Sequence, residues 1–486
     1  MKFTELSDYP VPAGTVTIWT PTTGADSSGW QPDPRPFTYD QSASIRRSST
    51  GEVDENSWLG AIFEIDDELD DDHFESCLRQ WLTRHEALLS TADPAADELH
   101  GGRRTYRGAH LDVNAEEAGG FDSGDDIREL LTEIFDARLA PTRWPHCVVA
   151  TVDSSRKGFT VVFAADHVVM DAYSILLSIS EIRRLYTSTR HGVAAEMADV
   201  GSHLDFSVHD RAVGLGLTGE HPAVSRWRAF LDSSADAPGF DLPLVRPHLE
   251  TRDRARTPRQ RGISEYVATD HQATFMSSAA RASGHGTQTA VFAALAVTLR
   301  ALTGHDTLRL TMPMHTRSEA RYAGSVGWYV GLAPLEVDLA GSQTFDDALT
   351  ATAGAIDAVR HLPFFPYQRI VELLGTGGEP EFVVSYLDIR HVPGAAEWDA
   401  AHAQILRGGS RSDREVYLWI ARVPGGITVS ARHPGHDPAD ASMRDLVATY
   451  ASVLRAIATE GTGHPLASYT HATFAGATAI DDARPA

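Results

Sequence analysis

The stretch "FTVVFAADHVVMDAYSILL", Phe159 to Leu177, decides how this chain is read. Phe159–Ala165 has the length and β-branched content of a buried strand. The apolar run breaks at Asp166-His167, resumes for three residues, meets Asp171, and passes into an amphipathic helix expected over Ala172–Tyr186. A tight strand–loop–helix turn of this kind can aim His167 one way and bury Asp171 the other. A buried acid needs a cation or several donors, so Asp171 calls for an arginine partner. A histidine packed at a strand end with its ring satisfied is the competing reading. The His-x-x-x-Asp spacing does not separate the two, since it recurs at His433/Asp437 and His436/Asp440 in the Pro/Gly turn around "HPGHD".

On either side of this stretch, strands and helices alternate, which predicts an α/β fold. Strands are expected at Ser57–Ile65, at "CVVATV", and later at "TLRLTMPM", "GLAPLEVDL", "EFVVSYLDI", "EVYLWIARV" and "GITVSARH". Helices are expected at Asp70–Ser90, with acids at its start, and at Pro222–Leu231, Asp270–Ser283, Thr287–Leu302, Thr344–Arg360, Pro366–Leu374 and Ala439–Thr459. The composition changes after about residue 188. The expected division is one lobe over 1–188 and a second over 189–468, with a loose tail over 469–486.

The 486 residues are too many for one simple core. With 42 basic and 66 acidic residues the net charge is −24, a field that repels nucleic acid and anionic membranes. Cys77 and Cys147 alone provide neither a disulfide framework nor a thiolate metal site, and no metal is expected. No apolar run reaches the length of about 18 residues that a membrane span needs, and the first residues lack the pattern of a secretion signal. A cytoplasmic protein is the expectation. "GLGLTG" (Gly214–Gly219) matches a dinucleotide-binding pattern but follows no buried strand, and "HPGHD" has no third clustered ligand.

Four collinear segments carry a resemblance. "ADHVVMDAYS" resembles the His-His-x-x-x-Asp-Gly signature of the condensation-domain superfamily, which includes nonribosomal peptide condensation domains, polyketide-associated acyltransferases and, more distantly, chloramphenicol acetyltransferase. "LTRHEALLS" (Leu82–Ser90) resembles its Arg-His-Glu-Ala-Leu helix end. "TMPMHTRSEARYAGSVGWYVGLAPLEV" (Thr311–Val337) resembles its segment with an arginine followed by Gly-aromatic and a later proline. "LPFFPYQRIVELL" with "EFVVSYLDIR" resembles its Pro-aromatic helix and the strand after it. The matches span about residues 57–460 in order.

The resemblance implies two chloramphenicol-acetyltransferase-like lobes in a V-shaped pseudo-dimer, with a tunnel at the lobe junction and no bound cofactor. By position His167 is the catalytic histidine and Asp171 the structural acid. Arg317 is the motif arginine and the candidate partner of Asp171. Asp166 stands where the first histidine is usual, and Ala172 where glycine is usual. Asp166 then either shapes the loop or raises the basicity of His167. Trp328 and Tyr329 are candidates for the tunnel wall, or are core aromatics at the junction. "RPHLETRDRARTPRQRG" carries Arg252, Arg254, Arg256, Arg259 and Arg261, candidates for binding phosphate or a carrier protein; a solvated loop is the alternative. The implied function is a free-standing condensation-type acyltransferase. Its donor would be a thioester on the phosphopantetheine of an acyl or peptidyl carrier protein or of CoA. Its acceptor would be a small-molecule alcohol or amine, with an ester the favoured product. A catalytically inactive module that recruits a partner protein, or a carrier-bound aminoacyl epimerase, are the alternatives.

Overall fold

The computed structural model describes residues 1–24, 29–50, 58–93, 102–154, 157–232, 258–376 and 380–469. The first half runs β1 (Phe3–Glu5), β2 (Gly14–Thr22), β3 (Trp30–Asp33), α1 (Tyr39–Thr50), β4 (Trp58–Ile65) and α2 (Asp71–Arg84). It continues with β5 (Ser90–Ala92), β6 (Arg103–Tyr106), β7 (Asp112–Phe121), α3 (Gly124–Arg138), β8 (Cys147–Asp153), β9 (Phe159–Asp166) and α4 (Ala172–His191). Then come α5 (His203–Leu215), α6 (Pro222–Asp232), β10 (Arg261–Thr269), α7 (Asp270–Ala282), α8 (Thr287–Thr303), β11 (Thr307–His315) and β12 (Val330–Asp338). The chain closes with α9 (Phe345–Val359), α10 (Tyr367–Leu374), β13 (Phe382–Asp388), β14 (Gln404–Arg407), β15 (Val416–Val423), β16 (Gly426–His433) and α11 (Asp437–Glu460).

These elements form two sheet-rich lobes. The first sheet has the order β1-β14-β4-β9-β8-β2-β7, the second β10-β16-β15-β13-β11-β12, and a small sheet β3-β6-β5 flanks the first. β9 sits inside the first sheet, antiparallel to β4 and β8, with all eight residues buried. Phe159, Val161, Phe163 and Ala165 enter the core shared with α2 and α4, while Val162 and Ala164 face the core of α3. Burial on both faces explains why this strand reads as a continuous apolar run rather than an alternation.

In β15 the alternation is informative. Leu418 and Ile420 belong to the second lobe's core, but Trp419, Ala421 and Val423 belong to the first lobe's. One face of the second sheet therefore packs on the first lobe. β14 adds a second stitch: it lies within the span 189–468 yet pairs with β4 and β1 of the first sheet. Phe3 on β1 stacks on Trp419 with centroids 5.5 Å apart, closing the same seam.

Two elements differ from expectation. The helix expected over Asp70–Ser90 stops at Arg84, because His85 turns to φ −116°, ψ 94° and sends its ring into the lobe junction. α4 extends to His191, ends on Gly192 in the left-handed region at φ +66°, and is buried on every side from Ser174 to Ile182. It is a central helix rather than an amphipathic one, since chain from the far lobe covers its outer face: the Ser180 hydroxyl donates to the carbonyl of Pro393. Among the described residues no helix is long and apolar enough to cross a membrane.

Candidate active site

The loop after β9 is a tight turn held by its own first residue. The Val169 N–H donates to the Asp166 carbonyl at 3.1 Å, and the Met170 N–H to that of His167 at 3.3 Å. The Asp166 carboxylate, buried, accepts the Val168 N–H at 2.8 Å. A short acceptor at this position is what the turn uses. Asp166 thus takes part in shaping the loop beside His167.

Asp171 ends the turn as the N-cap of α4, accepting the Ser174 N–H at 2.7 Å. Its other oxygen accepts the Tyr329 N–H at 3.0 Å, and Arg317 Nη2 reaches both oxygens at 3.0 and 3.1 Å. Burial alone would raise the pKa of this carboxyl, but Arg317 and the hydrogen bonds from Ser174 and Tyr329 outweigh it and hold it below the usual value. Arg317 Nη1 also donates to the carbonyls of Tyr322 at 2.9 Å and Ser325 at 2.6 Å, and the guanidinium lies 4.1 Å from the Tyr329 ring centroid. The ion pair joins the two lobes: Asp171 opens the first lobe's central helix, and Arg317 follows β11 of the second.

His167 is left half-buried, its ring 4.3 Å from that of Trp328. Nδ1 is buried without a hydrogen bond of good geometry, so Nε2 is the nitrogen a substrate can meet. Burial lowers the ring's pKa, the residue's own carbonyl and Asp171 pull it up, and Arg432 pulls it down. The outcome is an imidazole that stays neutral at neutral pH, as a proton acceptor must. Trp328 is half-buried and lines a cavity together with Thr38, Asp210, Thr316, Ser318 and Phe364. Tyr329 is fully buried, in an aromatic cluster with Phe206 and Tyr322, and belongs to the core rather than to a wall.

The segment from Arg317 to Val330 is held in place through Gly327, His203 and His85. Gly327 accepts from the Asp171 N–H at 3.1 Å and from the Ser174 hydroxyl at 2.8 Å. A side chain there would fall 2.5 Å from the His203 ring, so only glycine fits. His203 Nε2 donates to the Trp328 carbonyl at 2.9 Å, and burial pushes its pKa down to about 3. His85 accepts the Val326 N–H on Nδ1 at 3.3 Å, which fixes Nε2 as the donor to Glu181 at 2.5 Å. The "RHEALLS" signal pointed to this residue; Ser174 and His203 carried no signal, because their partners lie over 120 residues away.

Arg259 and Arg261 are both paired within the chain, Arg259 with Glu5 at 3.3 Å and Arg261 with Asp440 at 2.7 Å and Asp437 at 3.2 Å. They line a second junction cavity of about 350 Å³ with Glu5, Gln260, His433 and Arg444, none of them part of the His167 constellation. Arg252, Arg254 and Arg256 lie outside the described residues, as does the tail from residue 470. His436 of "HPGHD" caps α11 by accepting the Ala439 N–H, and "GLGLTG" begins inside the last turn of α5. Among the described residues no group of three or more His, Cys, Asp or Glu is placed to hold a metal ion.

Residues 52–388 match the family model for the condensation domain. The acyltransferase PapA3 of Mycobacterium tuberculosis is 29% identical over 69% of this chain and 70% of its own length. The trehalose-2-sulfate acyltransferase PapA2 of the same organism is 25% identical over 64% and 67%. Among solved structures, a PapA2 acyl transferase superposes with a TM-score of 0.81 at 21% identity, over 94% of this chain and 100% of that one. The X-domain from teicoplanin biosynthesis gives 0.66 at 17%, over 90% and 97%, a likeness of fold. With a match over more than two thirds of its length and the two-lobed fold to go with it, the chain belongs to the condensation-domain family.

Proposed function

We propose that this acyltransferase moves an acyl group from a thioester to a hydroxyl of a polyol-like small molecule, with His167 as general base. The observation that carries the reading is the neutral, half-buried His167 at the lobe junction, set against Trp328 on the wall of a cavity rimmed by hydroxyl and carboxyl groups. Asp210, Thr316 and Ser318 in that rim offer hydrogen-bond partners for an acceptor hydroxyl. The names of the PapA relatives, one of which acts on a sulfated trehalose, support the same class.

In the reaction, Nε2 takes the proton of the acceptor hydroxyl as its oxygen attacks the thioester carbonyl. The tetrahedral adduct collapses with cleavage of the C–S bond, and the imidazolium returns the proton to the departing thiolate. The thioester is already activated, so orienting the two substrates is most of the remaining work. Asp171 and Arg317 hold the loop and touch neither substrate. The donor is an acyl group on CoA or on a carrier protein's phosphopantetheine.

The test incubates the purified protein with a fatty acyl-CoA and trehalose and follows ester formation by mass spectrometry. Wild type forms the ester, and His167→Ala reduces the rate by about 10²–10⁴-fold, the usual contribution of a general base. Equal product from both proteins removes His167 from the chemistry.

A further inference from the structure

From the contacts around Val168 we infer that Gln41, on α1, is a positioning residue for His167, coupling the wall of the acceptor cavity to the catalytic loop. This rests on His167 being the base, as proposed above. Gln41 is buried and lies 127 residues before Val168 in the chain, yet its Nε2 donates to the Val168 carbonyl at 2.7 Å. The Val168 N–H is held by Asp166 at 2.8 Å. The residue following His167 is therefore gripped on both sides, by an acid from its own turn and by an amide from a distant helix.

The amide orientation is fixed by its surroundings. Gln41 Oε1 accepts the Thr38 N–H at 3.0 Å and Arg103 Nη2 at 3.2 Å, so the reverse orientation would set donors against donors. The Gln41 N–H donates to the Thr38 hydroxyl at 3.1 Å, which completes a reciprocal cap on the first turn of α1. That same turn forms part of the cavity: Thr38 and Asp40 line it, and the Tyr39 N–H donates to Asp210, another lining residue, at 2.9 Å. One turn of helix thus presents two residues to the acceptor cavity and a third to the loop bearing the base. α1 also packs on α10 of the second lobe, so the grip is referenced to both lobes.

Gln41→Glu isolates the grip. A carboxylate keeps the acceptor for Thr38 and Arg103, and hence the cap, but offers no hydrogen to the Val168 carbonyl. With acyl-CoA and trehalose, the expected result is a fall in kcat of about 10–100-fold, the cost of roughly 1 Å of misplacement, with the acceptor KM unchanged within about twofold. A loosened loop also makes His167 react several-fold faster with diethyl pyrocarbonate, read by mass spectrometry with no substrate present. Gln41→Met, which removes the donor without adding charge, is measured alongside and decides the matter if Gln41→Glu does not fold. A folded variant with wild-type kcat overturns the inference, as does a fall in kcat matched by an equal rise in KM or an unchanged carbethoxylation rate. If His167→Ala proves active, the base assignment fails, while the carbethoxylation rate still decides whether Gln41 positions the ring.

Discussion

Replacing Asp171 by asparagine tests the lobe junction most directly. Both carboxylate oxygens receive N–H donors: Oδ1 from Ser174 and Arg317, Oδ2 from Tyr329 and Arg317. An amide supplies one acceptor and must turn its NH₂ towards a donor, whichever way it is placed. It also leaves Arg317, whose side chain is only 5% exposed, as a buried cation without its anion. Removing one partner of a buried pair costs about 3–5 kcal/mol, against about 0–1 kcal/mol for an exposed pair. The Asn oxygen can still cap α4, so little of the loss comes from the cap. In a chain of this size the cost corresponds to a fall of roughly 3–5 °C in the unfolding midpoint. The pair spans the lobes, so calorimetry should also resolve two transitions where wild type has one. Arg317→Met added to Asp171→Asn removes the uncompensated charge and should restore at least about 1.5 kcal/mol, a coupling read from the double-mutant cycle in urea. A single-mutant midpoint within about 2 °C of wild type, or strict additivity in the cycle, refutes the account of a buried, mutually dependent pair.

Two pH dependences follow from buried histidines. His146 and His203 are held neutral by burial, with pKa values pushed down to about 4 and about 3. The unfolded chain, where both sit near the ordinary value of 6.5, binds more protons over the window between, so stability falls as pH drops from 7 towards 4. At pH 5 each accounts for about 2 kcal/mol, and a urea midpoint flat between pH 7 and pH 5 contradicts this. Asp171, whose pKa is depressed, adds its own loss only at more acid pH, as its carboxylate protonates. On the proposal that His167 is the base, it must be neutral to act, and burial lowers its pKa, so kcat should fall along a one-proton limb centred below pH 6.5. Arg432→Gln, which removes a cation that lowers this pKa, should move the limb upward; a limb that stays in place excludes Arg432 from tuning the base.

Legibility differed by the range of the interaction. The strands of the second sheet from β11 onward, and β4, β8 and β9, were readable because burial on one or both faces writes itself into local hydrophobicity. β7 was not: its ten residues, including Glu116 and Glu117, are mostly exposed at the sheet edge, where charge protects against further pairing and erases the apolar period. β14 has four residues, and its partners β1 and β4 are more than 300 residues away, so nothing nearby signals it. In the site, His167 and Asp171 stood out by local context, and Arg317 by the motif order. The structure brings Arg317 to Asp171 and separates Trp328, on the cavity wall, from Tyr329, in the core. Gln41, Ser174 and His203 act through backbone atoms of residues chosen by the fold. A sequence carries no mark of which carbonyl a glutamine will find.

The residue pattern around His167 shows what the acid at position 166 does in the loop. At position 166 the loop uses a short, buried acceptor for the Val168 N–H, and aspartate supplies it. The positions that flank His167 are occupied by loop-making groups: Asp166 and Gln41 on Val168, and Asp171 with Arg317 at the helix start. Each lobe contributes to this frame, so the ring direction is set by the junction and not by one strand end. As the proposed base, a His167 whose pKa is lowered by burial is intrinsically weaker but neutral at working pH. Weakness is affordable when the electrophile is a thioester and the remaining barrier is largely orientation, for which fixed geometry can supply several kcal/mol. The frame and the lowered pKa are thus two sides of the same burial: packing the loop tightly enough to aim His167 also strips solvent from its ring.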